Sequence, residues 1–174
     1  MLQDPEFCAA LGLNEANSGD TDKAIEMLQT AADAKVARPA VYLTFAQLHI
    51  KKIRAAKGDA YRLQANEFSE IETLIKAAVA QSPKAPQVYL QILDLLGCSQ
   101  EPEKELLGKV SADCLRLFPD NMDLLSRIIP LLMQGNLRQN ARDLLEAADK
   151  CAFSDKDSAQ LEQLWFSIGG RTPK

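Results

Sequence analysis

Pairs of small or aromatic residues recur along this chain at nearly constant separation, and that recurrence constrains the fold more than any single residue does. Cys8 and Ala31 lie 23 positions apart, as do Leu125 and Ala148, while Tyr89 and Cys114 lie 25 apart and Tyr42 and Ala78 lie 36 apart. Two pairs keep one spacing, a third adds two residues and a fourth adds thirteen. Such self-similarity marks a stacked unit of roughly 34 residues that cannot bury its apolar face alone and does so against its neighbours. We therefore expect one two-helix unit in four copies, with a large insertion in the second.

Within the first unit, Leu11, Gly12, Ala24, Ile25, Leu28 and Ala31 fall on helical spacing. Gly19 and Asp20 interrupt it. Glycine supplies the left-handed conformation that ends a helix, and Asp20 or Thr21 can accept the free amide hydrogens that begin the next, so an antiparallel hairpin is expected. In the second unit Pro39 suits a first helical turn, and Tyr42, Phe45, Ala46 and His49 form an inward stripe. Ser69 followed by Glu72 reads as a capping box that starts the partner helix. That places the extra residues at 52–68, where they lengthen the first helix and add a loop around Gly58 and Asp59.

The third unit pairs VYLQILDLLG with ELLGKVSADCLRLF, with Ser99 and Pro102 marking the restart. The fourth pairs DLLSRIIPLLMQ with LRQNARDLLEAADKC, with Asn136 and Gln139 as a second capping box. Pro130 falls inside its helical pattern, where loss of an amide donor and a clash with the preceding turn cost ~3 kcal/mol in an unadapted helix, so a kink is expected. The segment DSAQLEQLWFSIGG sets Leu161, Leu164, Trp165 and Ile168 along one face and ends in two glycines. It reads as a helix that caps the apolar end of the stack.

In the order of these residues the chain resembles the tetratricopeptide repeat family. Leu11, Gly12, Gly19, Ala24, Leu28 and Ala31 stand where that family places Leu-Gly in the first helix, Gly at the turn, and Ala, a large apolar residue and Ala in the second. Pro83 and Pro119 take the position that closes a repeat. The match is closest in the first unit, continues in the fourth (Gly135, Ala141, Leu145, Ala148), and is degenerate in the second and third. The resemblance implies an all-α, right-handed solenoid of antiparallel helix pairs with eight or nine helices. In this register one domain covers 1–168, with repeats at about 5–37, 38–84, 85–120 and 121–154 and a capping helix at 156–168, followed by a flexible tail at 169–174.

The resemblance also implies function. First helices of such arrays line a concave groove that holds a protein or peptide, and the matching positions here are Asn17, Gln47, Lys51, Gln91, Asp94, Arg127 and Gln134. Arrays that grip the C-terminal carboxylates of chaperones carry Lys, Asn and Arg at positions occupied here by Ala9, Leu13, Thr44 and Gln91, so that clamp is not expected. A second candidate surface is basic. Lys51, Lys52, Arg54, Lys57 and Arg62 crowd the insertion of an otherwise acidic chain, where their charges would sum over a small area. The first expectation is thus a protein-binding scaffold. The alternatives are the partner-recruiting region of a larger bacterial hydrolase, peptidase or glycosyltransferase, which such degenerate arrays resemble, and self-association.

Composition narrows the rest. A net charge of −4 argues against a dedicated nucleic-acid surface, which needs an excess of Lys and Arg. No apolar run approaches the ~20 residues that span a bilayer, so a soluble chain is expected, in the cytoplasm or as a piece of a larger protein. Cys8, Cys98, Cys114 and Cys151 lack any CxxC spacing and there is one histidine, so neither a zinc site nor another cofactor is expected. Cys114 occupies the small-residue position that Ala fills in the other copies. His49 lies on an apolar stripe without partners for a catalytic triad, and Glu101, Glu103 and Glu105 suit a helix start better than a cleft. Without a phosphate-binding glycine loop or nucleophile elbow, catalysis is not expected.

Overall fold

A computed structural model describes residues 4–171. Among these residues the structure is all-α, with helices α1 (Pro5–Ser18), α2 (Thr21–Asp33), α3 (Pro39–Lys57), α4 (Ala65–Ala80), α5 (Pro86–Leu96), α6 (Lys104–Leu117), α7 (Met122–Gln134), α8 (Arg138–Ala148) and α9 (Asp155–Ser167). All eight landmark residues are buried, none more than 6% exposed. The recurrence therefore marks the interior faces of helices.

Local chemistry sets the helix ends. The Asp4 carboxylate accepts the Glu6 amide at 3.0 Å, Pro5 occupies the first turn of α1, and Gly19 closes that helix at φ +97°, where a side chain would be strained. Asp20 caps α2 by accepting the Lys23 amide at 3.2 Å. Pro39 opens α3, whose 19 residues realise the lengthened helix expected of the second copy.

Two expected helix starts are corrected. Helix α4 begins one turn before Ser69, because the Gln64 amide donates to the Glu67 carboxylate at 3.0 Å and completes a capping box there. Ser69 lies inside the helix, its hydroxyl donating to the Asn66 carbonyl at 3.1 Å. The loop of the insertion is thus confined to 58–64. Helix α8 likewise begins at Arg138, after Leu137; Asn136 sits at φ +59° and cannot serve as the cap. Its Gln139 side chain donates instead to Asp143 at 2.8 Å, one turn on. Helix α7 continues through Pro130 to Gln134.

The chain divides into two compact units. The first comprises residues 4–83 with Cys98–Gln100, the second Lys84–Gly97 with residues 101–171. In the first unit α1 packs on α2, α3 packs on both, and α4 packs on α3. Gly12 sets the closeness of the α1–α2 pair, since a Cβ there would stand 2.8 Å from Cγ of the fully buried Leu28. In the second unit α7 packs against α5, α6, α8 and α9, and α8 also meets α6 and α9. Tyr89 sits at its core. The Tyr89 hydroxyl donates to Asp113 at 3.1 Å and its ring meets Phe118 edge-on at 5.6 Å. Each fully buried Leu or Ile in these cores contributes roughly 1.5–3 kcal/mol.

Candidate functional site

The seven groove positions divide between the units. Asn17 lies on α1 and Gln47 and Lys51 on α3, and all three are exposed. Lys51 Nζ lies 3.5 Å from the Thr21 hydroxyl. Gln91 and Asp94 lie on α5, and Arg127 and Gln134 on α7. Arg127 forms an ion pair with Asp94, so two residues expected to face a partner bind each other across α5 and α7. Helices α1 and α3 are neighbours, as are α5 and α7, which keeps each subset on adjacent helices within its own unit.

The basic cluster is built differently from a free patch, since each of its inner cations has a partner within the first unit. Lys52 pairs with Asp22 at 2.9 Å, holding that carboxylate below its ordinary pKa. Arg54 Nε donates to the Tyr61 carbonyl at 3.1 Å, and Arg62 donates to the Ser99 carbonyl at 2.6 Å. Lys57 pairs with Glu67, and the Tyr61 hydroxyl donates to the same carboxylate at 2.8 Å. These donors, with the Gln64 amide, pull the Glu67 pKa from 4.5 to about 2, the Lys57 hydrogen bond being the largest cause. Beneath them Leu63 is fully buried. Its amide donates to the Cys98 carbonyl at 2.8 Å and its carbonyl accepts the Gln100 amide at 2.9 Å. The 58–64 loop is a pinned structural element.

The feature that residue patterns did not indicate is a cavity of about 540 Å³ on the first unit, between α2 and α4 and floored by α3. Tyr42, Phe45 and Leu74 form its apolar base, and Ala32, Ala77 and Ala80 leave room above them. Gln29, Asp33, Lys35, Glu70, Thr73 and Gln81 form the polar rim. From Glu70 to Gln81 the α4 wall runs ~17 Å at helical rise. None of the seven groove positions lines it. The signal that could have located it is the run of small residues on α4, where Ala77 and Ala80 stand outside the buried Ala78.

Two polar atoms near this cavity are buried without a hydrogen-bond partner, Gln81 Oε1 and His49 Nε2. His49 packs edge-on against the floor residue Phe45 at 4.6 Å, and its Nδ1 lies 3.8 Å from Glu70. Leaving such an atom unsatisfied costs roughly 1–3 kcal/mol, so either side chain gains by turning toward a group that bonds to it. Burial also raises the Tyr42 pKa.

No protein-family model and no curated protein sequence matches this chain. Cys8 and Cys114 are buried, and Cys98 and Cys151 are half-buried. Burial, aided by Asp113, pushes the Cys114 thiol up to about 12, so at neutral pH it is a packed thiol and not a nucleophile. Among the described residues no three His, Cys, Asp or Glu side chains converge as a metal-ligand set, and no helix is long and apolar enough to cross a membrane.

Proposed function

We propose that this chain is a helical-repeat scaffold of the tetratricopeptide kind, a right-handed solenoid of helix pairs, that binds a segment of another protein. The observation that carries the reading is the cavity over α3, which offers an apolar floor, small-residue headroom and a polar rim over about three helical turns. The burial of equivalent landmarks in all four copies supports the solenoid. So does the packing of alternate helices within each unit, α1 on α3, α5 on α7 and α6 on α8.

The rim defines the occupant. Asp33 and Glu70 stand on opposite walls against the single cation of Lys35. A fitting segment is an amphipathic helix that sets apolar side chains at i and i+4 on Tyr42, Phe45 and Leu74 and carries Lys or Arg at its edges. Partners turned toward Gln81 and His49 relieve the two unsatisfied atoms.

Selection from a displayed library of helical peptides tests the proposal. Enriched sequences should carry spaced apolar residues flanked by basic ones, and Ala77→Arg, which fills the cavity from its α4 wall, should weaken their binding at least tenfold. Joint replacement of Gln47, Lys51, Gln91 and Arg127 by Ala should leave that binding within about twofold. The opposite pattern moves the site to the concave positions. Failure to enrich any sequence over an unrelated helical protein overturns the reading.

A further inference from the structure

We propose that residues 169–171 form a latch that holds α9 against the rest of the second unit, and that α9 is a releasable cap. Gly169 and Gly170 adopt φ +98° and +82°, and their amides donate back to the carbonyls of Phe166 at 3.1 Å and Trp165 at 2.8 Å. That pair of hydrogen bonds at a helix end turns the chain back. The reversal brings Arg171 back along the helix it has just left.

There Arg171 meets three partners. Its Nη2 and Nε donate to the two oxygens of Asp149 at 2.8 and 3.2 Å, and its Nη1 donates to Glu162 at 2.6 and 2.8 Å. Its guanidinium carbon lies 5.4 Å from the centre of the Trp165 ring. Trp165 in turn donates its indole N–H to Asp149 at 3.2 Å. One arginine thus joins the residue after α8 to two residues of α9. Asp149 takes two guanidinium nitrogens in a fork, a geometry that lysine cannot reproduce, while Nη1 alone is shared between the two oxygens of Glu162.

The rest of the α9 contact is small. Leu161, Trp165 and Ile168 are its buried apolar residues, and the Gln160 amide donates to the Ser126 hydroxyl on α7 at 2.6 Å. Phe166, beside the latch, is 86% exposed. By contrast α7 buries Met122, Leu124, Leu125, Ile128, Ile129, Leu131 and Leu132. Three apolar anchors and a surface latch place α9 at the low end of local stability, where segments open without the whole domain. Opening frees the apolar faces of α7 and α8 that α9 covers.

Trp165 is the chain's single tryptophan, so its emission reports the latch directly. Hydrogen exchange followed by mass spectrometry, with Trp165 fluorescence, provides the test on the intact chain. Arg171→Ala should speed exchange of the α9 amides roughly five- to tenfold, shift Trp165 emission to the red and raise its quenching by acrylamide, with α3, α7 and α8 unchanged. Asp149→Asn, which keeps an acceptor for the indole and loses the charge, should give a smaller change in the same direction. Arg171→Lys should fall between Arg171→Ala and the native chain. The latch is overturned if α9 exchange is unaffected by Arg171→Ala, or if it accelerates only together with α7 and α8, because α9 then opens only with its whole unit.

Discussion

The first and second helix pairs belong to one unit and are built on one pattern, yet they are held together by different means. Helices α1 and α2 are joined by Gly19 and Asp20 alone, and their approach is set by the missing side chain of Gly12 over Leu28. Helices α3 and α4 are joined by 58–64, and the link is secured by Leu63, which borrows its backbone partners from Cys98 and Gln100 far along the chain. Both pairs carry a surface ion pair across the hairpin, Lys23 with Glu15 in the first and Lys57 with Glu67 in the second. The difference teaches that the longer link between α3 and α4 carries its own buried anchor, where the two-residue link between α1 and α2 has none. The Lys57–Glu67 pair at the surface adds to that anchor and does not replace it.

Leu63→Ala gives the sharpest way to break this contrast. The side chain is fully buried, and its loss should cost about 2–4 kcal/mol through lost transfer energy and the cavity left behind. Urea unfolding followed by circular dichroism measures the cost, and proteolysis at 58–64 reports where the damage falls. A loss below about 1 kcal/mol would show that the loop is appended and not structural.

Gly12→Ala makes the matching test of the regular pair. Its new methyl meets Leu28 Cγ at 2.8 Å, Cδ2 at 2.9 Å and the Leu28 backbone nitrogen at 3.1 Å, so α1 and α2 must separate. Overpacking of this kind costs about 1–3 kcal/mol, offset in part by the ~1 kcal/mol that alanine gains over glycine within a helix. Net destabilisation of up to roughly 2 kcal/mol is expected in the same urea experiment. A stabilised variant would mean that the pair is looser than its geometry and that the closeness at Gly12 is not what holds it.

The same contrast explains which features the sequence made legible. Periodicity reports burial, and every landmark from Cys8 to Ala148 proved interior, so the helices and their alternation followed from spacing. Caps were legible where a single side chain acts locally, as Asp20 does. They were misread where two candidates compete within a turn. Gln64 with Glu67 prevailed over Ser69 with Glu72 because Glu67 also draws on Lys57 and Tyr61, a gain that no local motif encodes. The cavity over α3 was hidden for a related reason, since small residues such as Ala77 and Ala80 read equally as core or as surface until α2 is placed opposite them. Arg171 had no signal at all. Its partners Asp149 and Glu162 are distant in sequence, and only the turn at Gly169 and Gly170 brings them together.

Acid provides the finest discrimination between the two pairs. Lys57 is the largest cause that draws Glu67 down to about 2, followed by the Gln64 amide and the Tyr61 hydroxyl. Glu15 is also lowered, chiefly by its hydrogen bond to Lys23. A carboxylate depressed in the folded state contributes stability that is fully present above its unfolded pKa and is lost as pH falls through its folded one. Both clasps therefore hold at neutral pH and weaken on acidification, and the Glu67 contribution fades across the window from 4.5 down to about 2. Thermal melts of the native chain, Glu67→Gln and Glu15→Gln at stepped pH measure this directly. Between pH 4.5 and about 2 the difference between native and Glu67→Gln should shrink steadily toward zero, and above pH ~5 it should be constant. A gap between native and Glu67→Gln that does not change with pH would show that the carboxylate acts only as a neutral acceptor capping α4, and the clasp of the second pair would then reduce to Leu63 and its backbone bonds.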